Sequence, residues 1–213
     1  PAVREYTVEA GRPDCTTPEK LAVIKEYGAT RISINPQTLS DEVLAAIGRR
    51  HTAQDVLDCF AQARRLGHGN INMDLIAGLP LDTPARFAQT LQGVLALAPE
   101  NITVHTLTLK RASNLVIEHA PNAYGDVARM LDSCALLGEN GYEPYYLYRQ
   151  KGTLQNLENT GYTRPGYAGL YNVFIMEEVH TILSAGAGGS TKLVGPDGHI
   201  RRIFNHKYPL EYI

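Results

Sequence analysis

The sequence predicts the α/β class: a parallel sheet with helices outside it, joined to a smaller α+β unit at the C-terminal end. Three observations lead there. Strand-like and helix-like segments alternate four times in the first 141 residues. The candidate strands "INMDLI" and "ITVHTLTL" approximate the continuous apolar runs of strands covered on both faces, but carry polar residues near their C-terminal ends. After Gly141 the texture changes to aromatic and glycine-rich stretches, so the expected division is 1–141 and 142–213.

The elements follow in order. Ala2–Glu9 reads as a strand rich in Val and Tyr. Thr16 and Glu19 have capping-box spacing and Pro18 suits a first helical turn, with Gly28 as the stop. Arg31–Asn35 is the second strand. Ser40-Asp41-Glu42 caps a short helix ending at Gly48. Thr52 and Asp55 open another, with Val56, Leu57, Phe60, Ala63 and Leu66 at helical spacing. Asn70–Ile76 is the third strand. Thr83-Pro84 starts a helix with Phe87, Leu91, Val94 and Leu95 on one stripe, stopped by Pro99. Asn101–Leu107 is the fourth strand, and a helix is expected over Ala123–Asn140.

Beyond Gly141, Tyr145–Tyr148 reads as a strand and 151–170 as a long ordered loop. Asn172–Leu183 has helical spacing. Gly195-Pro196-Asp197-Gly198 turns a hairpin between Lys192–Val194 and His199–Asn205.

Composition narrows the function classes. Of 213 residues, 44% are apolar and 20% charged, which fits a soluble globular protein. A net charge of −2 gives no reason to expect nucleic acid as a partner. No apolar run is long enough for a membrane span, and no signal peptide is visible. Cys15, Cys59 and Cys134 are odd in number and widely spaced, which suits reduced thiols in the cytoplasm and supplies no metal motif. The chain begins at Pro1 with a strand pattern already under way, which leads us to expect a piece of something longer.

Ligands of parallel α/β sheets bind at the C-terminal ends of the strands. Asp74 stands out there, a carboxylate within an apolar run. It serves either a ligand or the backbone N–H groups of a neighbouring loop. Gly78-Leu79-Pro80 beyond it suggests a close approach, by a ligand or otherwise. Glu9 ends the first strand, where it can accept from a ribose diol or pair with Arg12. Gln37 lies just past the second strand, as a ligand contact or a turn residue. Arg49 and Arg50 suit a carboxylate or a solvated loop. His51 reads as a capping or packing residue. Gly186–Ser190 is a weak anion cradle.

The motifs "EAGRPD" (9–14), "RISINPQT" (31–38), "IGRRHT" (47–52), "INMDLIAGLP" (71–80), "VHTLTLKRAS" (104–113), "GYEPYYLYRQK" (141–151), "NLENTGY" (156–162), "GLYNVFIMEE" (169–178) and "GAGGSTK" (186–192) occur in this order. As an ordered set they resemble the oxygen-independent coproporphyrinogen III oxidases among the radical S-adenosylmethionine (SAM) enzymes. The likeness is strongest to their coproporphyrinogen dehydrogenase branch.

The resemblance implies a partial TIM-like (β/α) radical SAM barrel over 1–141 and a small family-type C-terminal unit over 142–213. It implies SAM and a [4Fe–4S] cluster as cofactors, a porphyrinogen substrate, and a reductant such as flavodoxin or ferredoxin. Glu9 is similar to the family's ribose-binding carboxylate, and Gln37, Arg49 and Asp74 to further members of the SAM shell. The resemblance assigns no catalytic side chain. From charge alone, Lys110 and Arg111 are candidates for the substrate's carboxylates.

In the family reaction a reduced cluster cleaves SAM, the resulting radical takes a hydrogen from a propionate, and loss of CO₂ and one electron leaves a vinyl group. The family's C-x-x-x-C-x-x-C cluster motif is absent from this sequence. Cluster ligands are therefore expected outside this chain, and the chain alone is expected to be inactive. Haem chaperones among the relatives carry H-N-x-x-Y-W, where this sequence has Tyr171-Asn172-Val173-Phe174-Ile175-Met176. A haem-binding relative, or a radical SAM enzyme of another substrate, are the alternatives.

Overall fold

The computed structural model describes residues 2–108, 126–150 and 152–213. The sheet is built from β1 (Thr7–Gly11), β2 (Arg31–Gln37), β3 (Ile71–Ala77), β4 (Asn101–Thr106), β5 (Glu143–Tyr148) and β6 (Asn159–Thr163). Their spatial order is β1-β2-β3-β4-β6-β5. Strands β1 to β4 are mutually parallel, β6 runs antiparallel to β4, and β5 antiparallel to β6. The partial-barrel α/β class stands, with two antiparallel strands added at one edge.

Helices connect the parallel strands: α1 (Pro18–Glu26), α2 (Asp41–Ala46), α3 (Ala53–Arg65) and α4 (Pro84–Leu97). Helix α3 has the capping box anticipated from Thr52 and Asp55, each side chain meeting the other's backbone N–H. Helix α1 is capped one residue later than expected, by Thr17. Thr16 is buried and donates its hydroxyl to the carbonyls of Ala10 and Arg12. Strand β1 also starts later than expected. Tyr6 O accepts from the first residues of the β2 side, Thr30 and Arg31, so the ladder begins there.

Alternation along the strands explains the core. Ile32 and Ile34 of β2, Ile71, Met73, Leu75 and Ala77 of β3, and Ile102 and Val104 of β4 are buried in one cluster. Leu21 of α1, Val56 and Phe60 of α3, and Phe87, Leu91 and Val94 of α4 complete that cluster. Each of these side chains larger than alanine contributes about 1.5–3 kcal/mol. The helices therefore cover one face of the sheet, and the intervening residues occupy the other.

The described part of the expected helix 123–140 is two short helices, α5 (Val127–Asp132) and α6 (Ala135–Glu139). Between them the N–H groups of Ser133, Cys134 and Leu136 bond three residues back rather than four, which tightens and divides the helix. The loop expected over 151–170 contains β6, held between β4 and β5.

The chain forms two compact units, Pro1–Ala168 and Gly169–Ile213. This boundary lies later than the expected one after Gly141, because β5 and β6 belong to the first sheet. The second unit has α7 (Leu170–Met176), a hairpin of β7 (Ser190–Val194) with β8 (Ile200–Phe204), and α8 (Pro209–Tyr212). The Gly195–Gly198 turn is as anticipated, closed by Gly195 N–H donating to His199 O. Helix α7 stops well short of Leu183. Glu178 adopts φ 54°, and Ile182 then pairs with Lys192 as an extended residue.

Candidate functional site

Opposite the helix-covered face, the sheet carries a connected polar network. Ser33 Oγ donates to Asn35 Oδ1 (2.6 Å) and accepts from Asn72 Nδ2 (3.0 Å). Thr103 Oγ1 donates to Asn72 Oδ1 (3.1 Å) and lies 3.3 Å from the Tyr146 hydroxyl. The Tyr148 hydroxyl lies 3.3 Å from His105 Nδ1. The rings of Tyr146 and Tyr148 are stacked, with centroids 6.4 Å apart and planes 13° apart. Buried polar groups with partners are tolerated, and these pair with one another across β2, β3, β4 and β5.

Asp74 lies within this network. It sits between the core residues Met73 and Leu75, so its side chain projects from the polar face. Asn72 Nδ2 donates to its Oδ1 at 2.7 Å, and His105 Nε2 lies 3.8 Å from the same oxygen. Burial pushes its pKa up, but the neighbouring His105, Asn72 and Thr103 outweigh burial and hold it below the ordinary value. No backbone N–H among the described residues bonds to it, so the loop-capping reading of Asp74 falls away. The close approach at Gly78 is made by Val127 and Leu154, which an added Cβ there would strike.

Glu9, Gln37 and Arg49 stand at or beyond neighbouring strand ends. Glu9 is exposed and pairs in register with Ser33 of β2. Arg12 does not pair with it but grips Asp14 twice, at 3.0 and 2.6 Å. Gln37 ends β2 with φ 69°, after a register shift opposite β3. Arg49 follows α2 and is half-buried. Burial lowers its pKa, repulsion from Arg12 adds to this, and Asp14 opposes it. Among the described residues no hydrogen bond or ion pair joins Glu9, Gln37, Arg49 and Asp74 to one another. His51 is buried with its Nδ1 3.5 Å from Asp14, in keeping with a packing role.

Other candidates separate from this face. Lys110 and Arg111 lie outside the described residues. The glycine loop commits its N–H groups internally: Gly186 donates to Tyr212 Oη, Gly188 to His206 O and Gly189 to Gly186 O. It is therefore no anion cradle. A [4Fe–4S] cluster does not fit the described residues, which contain no group of three metal-ligating side chains. Cys59 and Cys134 are buried, and burial pushes both thiols up to about 11, while Cys15 is exposed.

Sequence reading missed Asn72, Thr103 and His105 as members of the site, and took Tyr146 and Tyr148 for core or cleft wall. The signal was present in the alternation of "INMDLI" and "ITVHTL", which sends every second side chain to the polar face.

Residues 2–93 match the model of the Radical SAM superfamily. The chain is 48% identical to the oxygen-independent coproporphyrinogen-III oxidase-like protein HemZ of Bacillus subtilis, over 99% of this chain and 43% of that protein. It is 39% identical to the heme chaperone HemW of the same organism over 50% of this chain and 28% of that protein. The solved coproporphyrinogen III oxidase HemN of Escherichia coli shares the fold, with TM-score 0.72 and 20% identity over 96% of this chain and 46% of that one. The chain thus spans less than half the length of these relatives. No helix among the described residues is long and apolar enough to cross a membrane.

Proposed function

The chain belongs to the radical SAM superfamily, and from that premise we propose that its gene product is a HemZ-like coproporphyrinogen dehydrogenase. The reaction is oxidative decarboxylation of coproporphyrinogen III propionates to vinyl groups, in the cytoplasm, with electrons exchanged through flavodoxin or ferredoxin. In this family SAM supplies the organic radical when bound beside a reduced [4Fe–4S] cluster. The described residues do not fit the cluster.

The chemistry of the polar face suits SAM. The observation that carries the reading is Asp74, a carboxylate held ionised on the polar face of a central parallel strand, where Asn72 and His105 meet its Oδ1. A fixed negative charge there suits a sulfonium cation. Arg49, with no ion pair among the described residues, suits the methionine carboxylate. Glu9, free of Arg12, suits the ribose hydroxyls, and Gln37 both donates and accepts. Lys110 and Arg111 are assigned to the substrate's carboxylates. The polar network holds the Asp74 carboxylate in place, so that its charge is oriented before a ligand arrives.

The test is anaerobic. The gene product carrying this sequence is reconstituted with iron and sulfide, reduced, and given SAM and coproporphyrinogen III. Formation of 5′-deoxyadenosine together with the vinyl product supports the proposal. Stoichiometric haem binding with no SAM cleavage overturns it in favour of a chaperone. The 213-residue chain alone is expected to form no 5′-deoxyadenosine.

A further inference from the structure

We propose that His105, braced by Tyr148, is a positioning residue that fixes the Asp74 carboxylate toward a cationic ligand. The proposal rests on the reading of Asp74 as part of a SAM site and names what holds that carboxylate. Two contacts to Asp74 fall on Oδ1, Asn72 Nδ2 at 2.7 Å and His105 Nε2 at 3.8 Å, and Thr103 also favours its charged form. The carboxylate is thus anchored at Oδ1.

Tyr148 decides which way His105 works. Its hydroxyl lies 3.3 Å from Nδ1, and its ring meets the imidazole edge-on, with centroids 6.4 Å apart and planes 72° apart. When the hydroxyl donates to Nδ1, the imidazole's own N–H lies on Nε2 and faces Asp74. A Tyr–His–carboxylate line of this kind fixes tautomer and ring orientation, as partners of ligating groups do elsewhere. Asn72 holds the same oxygen from its own strand, and its amide oxygen is in turn fixed by Thr103. The Asp74 charge is therefore set against two strands at once. Its depressed pKa agrees with this, since His105 is among the groups opposing the penalty of burial.

A charge fixed for a sulfonium distinguishes SAM from S-adenosylhomocysteine, which lacks the S-methyl group and so has a neutral sulfur. The experiment measures affinity for both molecules by isothermal titration calorimetry on the gene product carrying this sequence. Parent, D74N, H105L, H105Q and Y148F are compared, with thermal melting of each. D74N is expected to abolish the preference for SAM. H105L is expected to lower SAM affinity about tenfold, with S-adenosylhomocysteine changed by less than about twofold. Y148F shifts the same ratio in the same direction, and H105Q, which keeps a donor near Nε2, recovers most of it. If D74N lowers the ratio and both H105L and Y148F leave it unchanged, the role of His105 is overturned while the SAM site stands. If D74N leaves the ratio unchanged, the reading of Asp74 falls and this proposal with it. Should H105L not fold, Y148F and H105Q decide.

Discussion

The Tyr146 hydroxyl lies 3.3 Å from Thr103 Oγ1 although β6 runs between their strands. Gly161 of β6 pairs in register with both residues and makes this possible. A Cβ on Gly161 would overlap the Tyr146 ring. The ring therefore crosses the intervening strand over a residue with no side chain.

Substituting Gly161 by alanine should destabilise the chain by about 1–3 kcal/mol, the usual cost of overpacking. Y146F should cost only the hydroxyl contact, about 0.5–1.5 kcal/mol. Urea denaturation of G161A in the parent and in a Y146A background is the check. The penalty should largely vanish in the second, because the ring is then gone.

A buried acid gives a pH-dependent prediction. Asp82 is 3% exposed, accepts from Thr83 N–H through Oδ1, and has no hydrogen-bond partner for Oδ2 among the described residues. Burial pushes its pKa up to about 6, with the Thr83 N–H and Arg86 opposing. The folded state thus holds a proton that the unfolded state releases near pH 4. This group's contribution falls as pH rises from about 4 to about 6 and stays low above. D82N should be the more stable variant at pH 7.5, by on the order of 1 kcal/mol after solvent screening. The difference should shrink toward pH 4, as followed by thermal melts across pH.

The capping box of α3 offers a smaller effect. Thr52 Oγ1 accepts from Asp55 N–H at 3.2 Å, and Asp55 Oδ2 accepts from Thr52 N–H at 2.7 Å. T52A should cost about 1 kcal/mol, measured as a shift in the urea midpoint with an unchanged slope. T52S should cost much less, because the hydroxyl remains.

Local chemistry explains what the sequence reveals. The Thr52 cap, the Phe87–Leu91–Val94 stripe and the Gly195–Gly198 turn depend on neighbours a few residues away, and all are legible. Tyr146 over Gly161 depends on residues 15 positions apart in the chain and on a register that only the sheet sets. The Asp74–His105–Tyr148 line is spread over three strands, so its members look ordinary one at a time. Asp74 itself was legible because a carboxylate in an apolar strand needs an explanation. Glu9 and Gln37 drew notice by standing at strand ends, and motif resemblance supplied the role proposed for them. Thr16 was misread as a cap because its hydroxyl has a stronger demand elsewhere, at the Ala10 and Arg12 carbonyls.

The central claim is that the polar face around Asp74 is a SAM site, and equilibrium binding of SAM to the gene product carrying this sequence tests it most directly. The account predicts at least about a tenfold loss of affinity in D74N, with melting temperature and coproporphyrinogen binding retained. Equal SAM affinity in parent and D74N would contradict it.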